Sequence, residues 1–197
     1  MKVLRKAMIF KNWVSRYLLW RAATQVKASL LNLPLKLQGS RVLVLLPPDQ
    51  QNLTIIKKSL PDMTRLFGEN NVFLLASPGS NVQNIFPGKG FHFITPASSS
   101  VSWSGLPKKA FLDKLKNHRF DYIFDTNLEV NNFAARVLLD FPEAVRFGIS
   151  GGPGEPYINL EVKTKYLRDR HLIYRSILEV INNLAQPESQ AAIPTQE

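Results

Sequence analysis

A strand hidden on both faces is written into residues 41–46, where Arg41-Val-Leu-Val-Leu-Leu46 runs apolar without the alternation of a half-exposed strand. Similar runs recur at Val72–Ala76, Phe91–Thr95, Tyr122–Phe124 and Val145–Ile149. Helix-forming stretches separate several of them, at 50–67, 106–118 and 129–139, and a last helix is expected over 169–184. Such alternation requires right-handed crossovers and a parallel sheet, so the expected fold is α/β, a Rossmann-like sheet with helices on both faces. The crossover between 77 and 105 is rich in Ser, Pro and Gly and reads mostly as loop. Thr126-Asn127 supplies capping residues for the helix over 129–139.

Charge divides the chain more sharply than hydropathy does. Residues 1–48 hold nine cations and no acid, from Lys2 to Arg41, whereas the remaining 149 hold 16 cations against 15 acids. The basicity belongs to an arm rather than to a folded face, which argues against nucleic acid as partner and for an anionic lipid surface met through residues 1–36. Three parts are expected: a basic helical arm over 1–38, a Rossmann-like domain over 39–185, and a disordered polar tail over 186–197. Within the arm, residues 3–32 lack Pro and Gly and should be helical, with Leu4, Ala7, Val14, Leu18 and Ala22 along one stripe. Trp13, Tyr17 and Trp20 beside Arg16 and Arg21 suit a headgroup-level anchor; the competing expectation is a helix packed on its own domain or on a partner. No clean apolar core leads to a cleavage site, which argues against a signal peptide, while an organelle transit peptide remains compatible. The absence of cysteine excludes disulfides, thiolate metal sites and a cysteine nucleophile.

The carboxyl ends of the strands are where an open α/β sheet binds ligands, and they supply the candidate site residues. Asp49 follows the first strand, either as a base or as a turn or helix N-cap. Asp125 ends the fourth strand, either capping the next helix or touching a sugar, and Asn127 accompanies it. Gly151, Gly152 and Gly154 form a turn that could also wrap a ligand, without a GxGxxG pattern. His92, His118 and His171 have no metal-ligand spacing, and Arg168, Arg170 and Arg175 read as a solvated helix face. No metal or cofactor is expected. The first loop is poor in phosphate chemistry: Pro47-Pro48 offers no N–H donor, and no glycine occurs between Gly39 and Gly68. Asn52 cannot accept a proton as a base would, although it can orient a hydroxyl.

Phe120-Asp-Tyr-Ile-Phe-Asp-Thr-Asn127, followed by Asn131-Asn-Phe-Ala-Ala-Arg136, resembles a strand, polar turn and alanine-rich helix of glycosyltransferase family 9, the bacterial heptosyltransferases of lipopolysaccharide synthesis. Val145-Arg-Phe-Gly148 resembles that family's following strand, Pro156–Leu160 with His171 and the helix after it resembles the end of its N-terminal lobe, and the likeness spans about residues 41–184. The resemblance implies one lobe of a two-lobed GT-B fold, preceded here by an N-terminal helix, with the nucleotide-sugar held by a second lobe. Two departures accompany it: the sequence stops where that second lobe would begin, and the family's Gly-Asp loop, whose Asp is the base, falls on Gln51 and Asn52. It implies that Asp49 and Asn52 stand at the catalytic positions, that Asp125, Asn127, Gly151 and Gly152 contact an acceptor, and that transfer needs a separate donor-binding lobe. The expected function is a single-lobe, heptosyltransferase-like protein, inactive alone, that binds a glycolipid acceptor in lipopolysaccharide or other envelope glycan synthesis at the cytoplasmic face of a bacterial inner membrane. A non-catalytic, membrane-associated binding or assembly module with the same fold is the alternative from a different class, and an unrelated Rossmann-like domain is a third.

Overall fold

A computed structural model describes residues 2–26, 33–80, 82, 85–86, 90–150, 154–166 and 169–185. The tail expected to be disordered, Gly151, Gly152 and Arg168 lie outside the described residues. The elements run α1 (Lys2–Ala23), β1 (Val42–Leu45), α2 (Gln50–Phe67), β2 (Val72–Leu75), β3 (His92–Ile94), α3 (Lys109–Lys116), β4 (Tyr122–Asp125), α4 (Asn132–Asp140), β5 (Val145–Ile149), β6 (Leu160–Val162) and α5 (Arg170–Ala185). All neighbouring strands pair in parallel, in the order β3-β2-β1-β4-β5-β6. This is a Rossmann-like sheet, and its order reverses between β1 and β4, where Leu45 pairs with Asp125.

The apolar runs become strands because each residue finds a helix on its own side of the pleat. Val42, Val44, Tyr122, Phe124, Phe147 and Ile149 point toward α2 and α5, where they meet Ile56, Leu60, Phe67, Ile177 and Ile181. Leu43, Leu45 and Ile123 point the other way, toward Leu112, Leu115, Val137 and Leu138 of α3 and α4. The segment before β1 also belongs to this body: Leu35 and Leu37 are buried in the first cluster, and the Leu35 amide donates to the Leu184 carbonyl at 2.9 Å.

Several details differ from the sequence expectation, among them α3, which is shorter than 106–118. α1 ends at Ala23 rather than continuing to residue 32. Its buried side is centred on Ser15 and Leu19 rather than on the stripe through Val14 and Leu18, and Leu18 is 40% exposed. Leu19 packs with Leu106, Ala135 and Leu139, so α1 lies on α4. The helix after β4 starts at Asn132 with Asn131 as its cap, because Thr126 and Asn127 are both engaged in other bonds described below. β6 was not expected: three residues on a sheet edge, only one of them fully buried, leave too short a run to detect.

β5 approaches its crossover so closely that only glycine fits. A Cβ on Gly148 would stand 2.8 Å from both Cγ1 and Cδ1 of buried Ile158. Gly148→Ala should therefore cost about 1–3 kcal/mol by overpacking. In an Ile158→Ala background the same change should cost less than about 1 kcal/mol, since the space is then vacant. Urea unfolding of the four proteins in that cycle measures the coupling, and additive costs would contradict the contact.

Candidate functional site

The crevice at the strand-order reversal is assembled from the loops after β1 and β4 together with α1 and α5. β1 leads into Pro47-Pro48, and α2 then opens under Asp49, whose extended backbone and side chain form the N-cap. Asp49 Oδ1 accepts the Asn52 amide N–H at 2.8 Å, and Oδ2 accepts Asn52 Nδ2 at 2.7 Å. The remaining Asn52 oxygen accepts Arg170 Nη1 at 3.2 Å, and the same nitrogen reaches Gln51 Oε1 at 3.3 Å. Of the two outcomes open to Asp49 from sequence, the structure shows the cap. The candidates Asp49 and Asn52 are thus brought together, as mutual partners.

At the end of β4 three polar residues are buried in succession: Asp125, Thr126 and Asn127 are 4%, 1% and 5% exposed. Thr126 Oγ1 donates to the Leu45 carbonyl at 2.7 Å, extending the β1–β4 ladder past its last strand residues, and Tyr174 Oη donates to the Thr126 carbonyl at 2.8 Å. Asp125 Oδ1 accepts both the Asn127 amide N–H (3.1 Å) and Asn127 Nδ2 (2.6 Å). Asp125 therefore does not cap the following helix. Asn131 does, accepting the N–H groups of Phe133 and Ala134 at 3.0 and 3.2 Å.

Asn131 also donates outward, to Asn127 Oδ1 at 3.1 Å and to Ser77 Oγ at 3.3 Å, and Ser77 donates in turn to the Leu46 carbonyl at 2.7 Å. A single chain of hydrogen bonds, Asp125–Asn127–Asn131–Ser77–Leu46, thereby joins the carboxyl ends of β4, β2 and β1 to the start of α4. Such a network stays fixed only when its members are mutually satisfied, as these are.

Burial pushes the Asp125 carboxyl up to about 6, partly offset by the two hydrogen bonds from Asn127. Burial likewise raises the Tyr174 hydroxyl, reinforced by the charge of Asp49, opposed by Arg170, and reinforced again by Asp125. These four groups from β1–α2, β4 and α5 share one electrostatic neighbourhood. Asp125 itself is not on the cleft wall.

Above the network lies an open cleft of about 1000 Å³. Its walls include Asp49, Gln51 and Asn52 on one side, Asn127 to Asn132 on the other, and Arg170 at the end. Asn12 and Arg16 of α1 complete it. Sequence reasoning missed Asn131, Asn12 and Arg16, and took Arg170 for solvated surface. The Asn131-Asn132 doublet before an alanine-rich helix was the one available signal, whereas the Arg16 and Arg170 contributions depend on packing between helices far apart in sequence.

The helix N-termini beside this cleft are already occupied. Asp49 fills the first turn of α2 with a carboxylate, and Asn131 fills that of α4. A phosphate binds a helix N-terminus through free amides and a positive partial charge; here the Asn52 amide and those of Phe133 and Ala134 are already taken, and the Asp49 carboxylate opposes a second anion at α2. Two arginines, side-chain amides and the exposed Glu129 carboxylate line the space that remains for a ligand. The histidines stand elsewhere: His92 and His118 stack on Phe73 with centroids at 4.5 and 5.2 Å, and His118 accepts at its carbonyl from Arg41, just before the amino end of β1. His171 is exposed on α5. Among the described residues no group of three metal-ligating side chains converges.

Fold and crevice together define a Rossmann-like α/β domain with a polar, amide-lined site at its strand-order reversal. No protein-family model and no curated protein matches the chain.

Proposed function

We propose that the crevice binds a saccharide acceptor through its hydroxyls, and that the chain is a single-lobe, heptosyltransferase-like protein that does not transfer sugar by itself. The observation that carries this reading is the wall of side-chain amides, Asn52, Asn127, Asn131 and Asn132, set between Arg16 and Arg170. Asn52, Asn127 and Asn131 are held by hydrogen bonds within the protein and shape the wall, while Gln51 and Asn132 beside them offer amide groups that suit hydroxyls. The arginines favour an acceptor bearing a carboxylate or phosphate. A catalytic base is not provided by the expected pair: both Asp49 oxygens hold Asn52, and an amide does not take a proton. The likeness to glycosyltransferase family 9 implies that sugar transfer needs a separate donor-binding lobe. The envelope glycan, bacterial and inner-membrane context belongs to the same proposal and rests on that likeness.

A non-catalytic binding module is the second reading, favoured by the same occupied Asp49. Calorimetric titration separates binding from donor chemistry. The chain should bind anionic oligosaccharides, lose roughly tenfold or more in affinity on Arg170→Ala (a charge-assisted contact is worth about 1.5–3 kcal/mol), and give no heat with nucleotide-sugars. Tight nucleotide-sugar binding, or silence toward every saccharide, would contradict the reading.

A further inference from the structure

α1 presents three faces to three surroundings. Ser15 and Leu19 face the domain: Leu19 is buried against α4, and Ser15 Oγ donates to the Ser104 carbonyl. Asn12 and Arg16 face the cleft. The side opposite the domain carries Phe10, Trp13, Tyr17 and Trp20, exposed by 60, 65, 49 and 62%. Three of these rings are in contact along the helix, Trp13 on Tyr17 at 6.2 Å and Tyr17 beside Trp20 at 6.1 Å. A second pair joins the helix to the body: Trp103, 65% exposed on the loop before α3, stacks on Phe10 at 6.2 Å. Five large rings from two segments 83 or more residues apart thus form one exposed aromatic surface.

The charge carried by α1 itself has one sign. Lys11, Arg16 and Arg21 are exposed on α1, Lys2, Arg5 and Lys6 precede them in sequence, and no acid occurs before Asp49. Aromatic rings flanked by cations match the headgroup layer of an anionic bilayer, where rings sit at the polar–apolar boundary and cations meet phosphate. No helix among the described residues is long and apolar enough to cross a membrane, so contact is made in the plane of the surface. The docked side of the helix is tied to the body by Leu19 and by the Ser15–Ser104 hydrogen bond, and its outer side by the Phe10–Trp103 stack.

We infer that α1 and the Trp103 loop form one rigid docking surface for an anionic lipid bilayer, engaged without α1 leaving the domain. This differs from a detachable basic arm: docking then fixes the orientation of the whole body, and brings the Arg16 side of the cleft to headgroup level. The inference stands independently of what the cleft binds.

All three tryptophans of the chain, Trp13, Trp20 and Trp103, lie on this surface, so its intrinsic fluorescence reports on it alone. The full chain is mixed with vesicles of phosphatidylcholine and phosphatidylglycerol, or of phosphatidylcholine alone. Emission is then followed in the parent, in Trp103→Phe, and in Trp13→Phe/Trp20→Phe, where Trp103 is the only reporter; Phe retains an exposed ring and circular dichroism checks the fold. The expected result is a blue shift and loss of acrylamide quenching in all three proteins with anionic vesicles. Partitioning should fall at least about tenfold with phosphatidylcholine alone, and by a similar factor for Trp13→Ser/Trp20→Ser, given the apolar area each ring withdraws from water. If the helix tryptophans shift while Trp103 remains quenched by water, α1 has detached and the inference fails. It fails equally if no protein shifts, if both vesicle types bind alike, or if the shift follows protein concentration without lipid, which would assign the surface to a second copy of the chain.

Discussion

Replacing Arg146 by alanine is expected to destabilise the protein by about 3 kcal/mol or more, among the largest effects of any single substitution in the chain. Arg146 stands in the middle of β5, 2% exposed, on the side of the sheet that packs against α4. Its Nη1 donates to the Leu138 carbonyl in the last turn of α4 at 3.3 Å and to the Pro156 carbonyl at 2.9 Å. The guanidinium thus binds a helix C-terminus and the segment leading to β6 to the same strand, in a position where its charge favours the helix dipole. Its desolvation is not free: burial holds its pKa below the ordinary arginine value, and Nε has no partner among the described residues. Truncation strands the Pro156 carbonyl and opens a cavity together, while the Leu138 carbonyl keeps the Phe141 amide. Arg146→Met restores most of the volume and should still lose about 1–2 kcal/mol, because the Pro156 carbonyl stays unpaired. Urea denaturation measures both variants; a methionine variant as stable as the parent would mean that these hydrogen bonds only offset the arginine's desolvation.

The second large effect concerns Asp125 and depends on pH. Its carboxyl sits at about 6 in the folded protein, against an ordinary value of 3.8. A raised folded-state pKa means that the native protein holds a proton that the unfolded chain releases between those values. The associated stability is fully present below pH 4, declines as pH rises, and is lost above about pH 6. For so deeply buried a group, a shift of this size corresponds to roughly 3 kcal/mol, as an upper figure. Asp125→Asn removes the titration while leaving a carbonyl oxygen to accept from Asn127. The variant should therefore be more stable than the parent at pH 7–8, by on the order of 1–3 kcal/mol, and the two should converge near pH 4. Thermal unfolding across pH 4–8 tests the sign, and an asparagine variant that loses stability at pH 8 would show that the Asn127 bonds outweigh desolvation.

The sheet was legible because its strands are hidden on both faces. Residues 41–46, 72–76 and 122–124 could be read as strands directly, since both sides of each are apolar. Local signals reached less far. Thr126 and Asn127 are residues that cap helices, yet here the Leu45 carbonyl and Asp125 claim them first, and the cap passes to Asn131. The face that α1 buries was misplaced because its packing partners, Leu106, Ala135 and Leu139, lie 80 or more residues away, and Ser15 on that face is polar. Asp49 was recognisable as a cap or a base; what decided between them was the side chain of Asn52, three residues on, which holds the second oxygen. The arginines of the cleft come from α1 and α5, which pack on α4 and α2 respectively, and no pattern in the chain announces that both reach one crevice.

The account depends on the crevice offering amides and guanidinium groups where a diphosphate would need free helix-terminal N–H groups. Amide-resolved NMR during addition of an anionic oligosaccharide, then of a nucleotide-sugar, tests this most directly. The prediction is that the side-chain amides of Gln51 and Asn132 move with the oligosaccharide while the backbone N–H groups of residues 50–53 and 132–134 do not respond to the nucleotide-sugar. Selective, saturable shifts of those backbone groups with the nucleotide-sugar would contradict it.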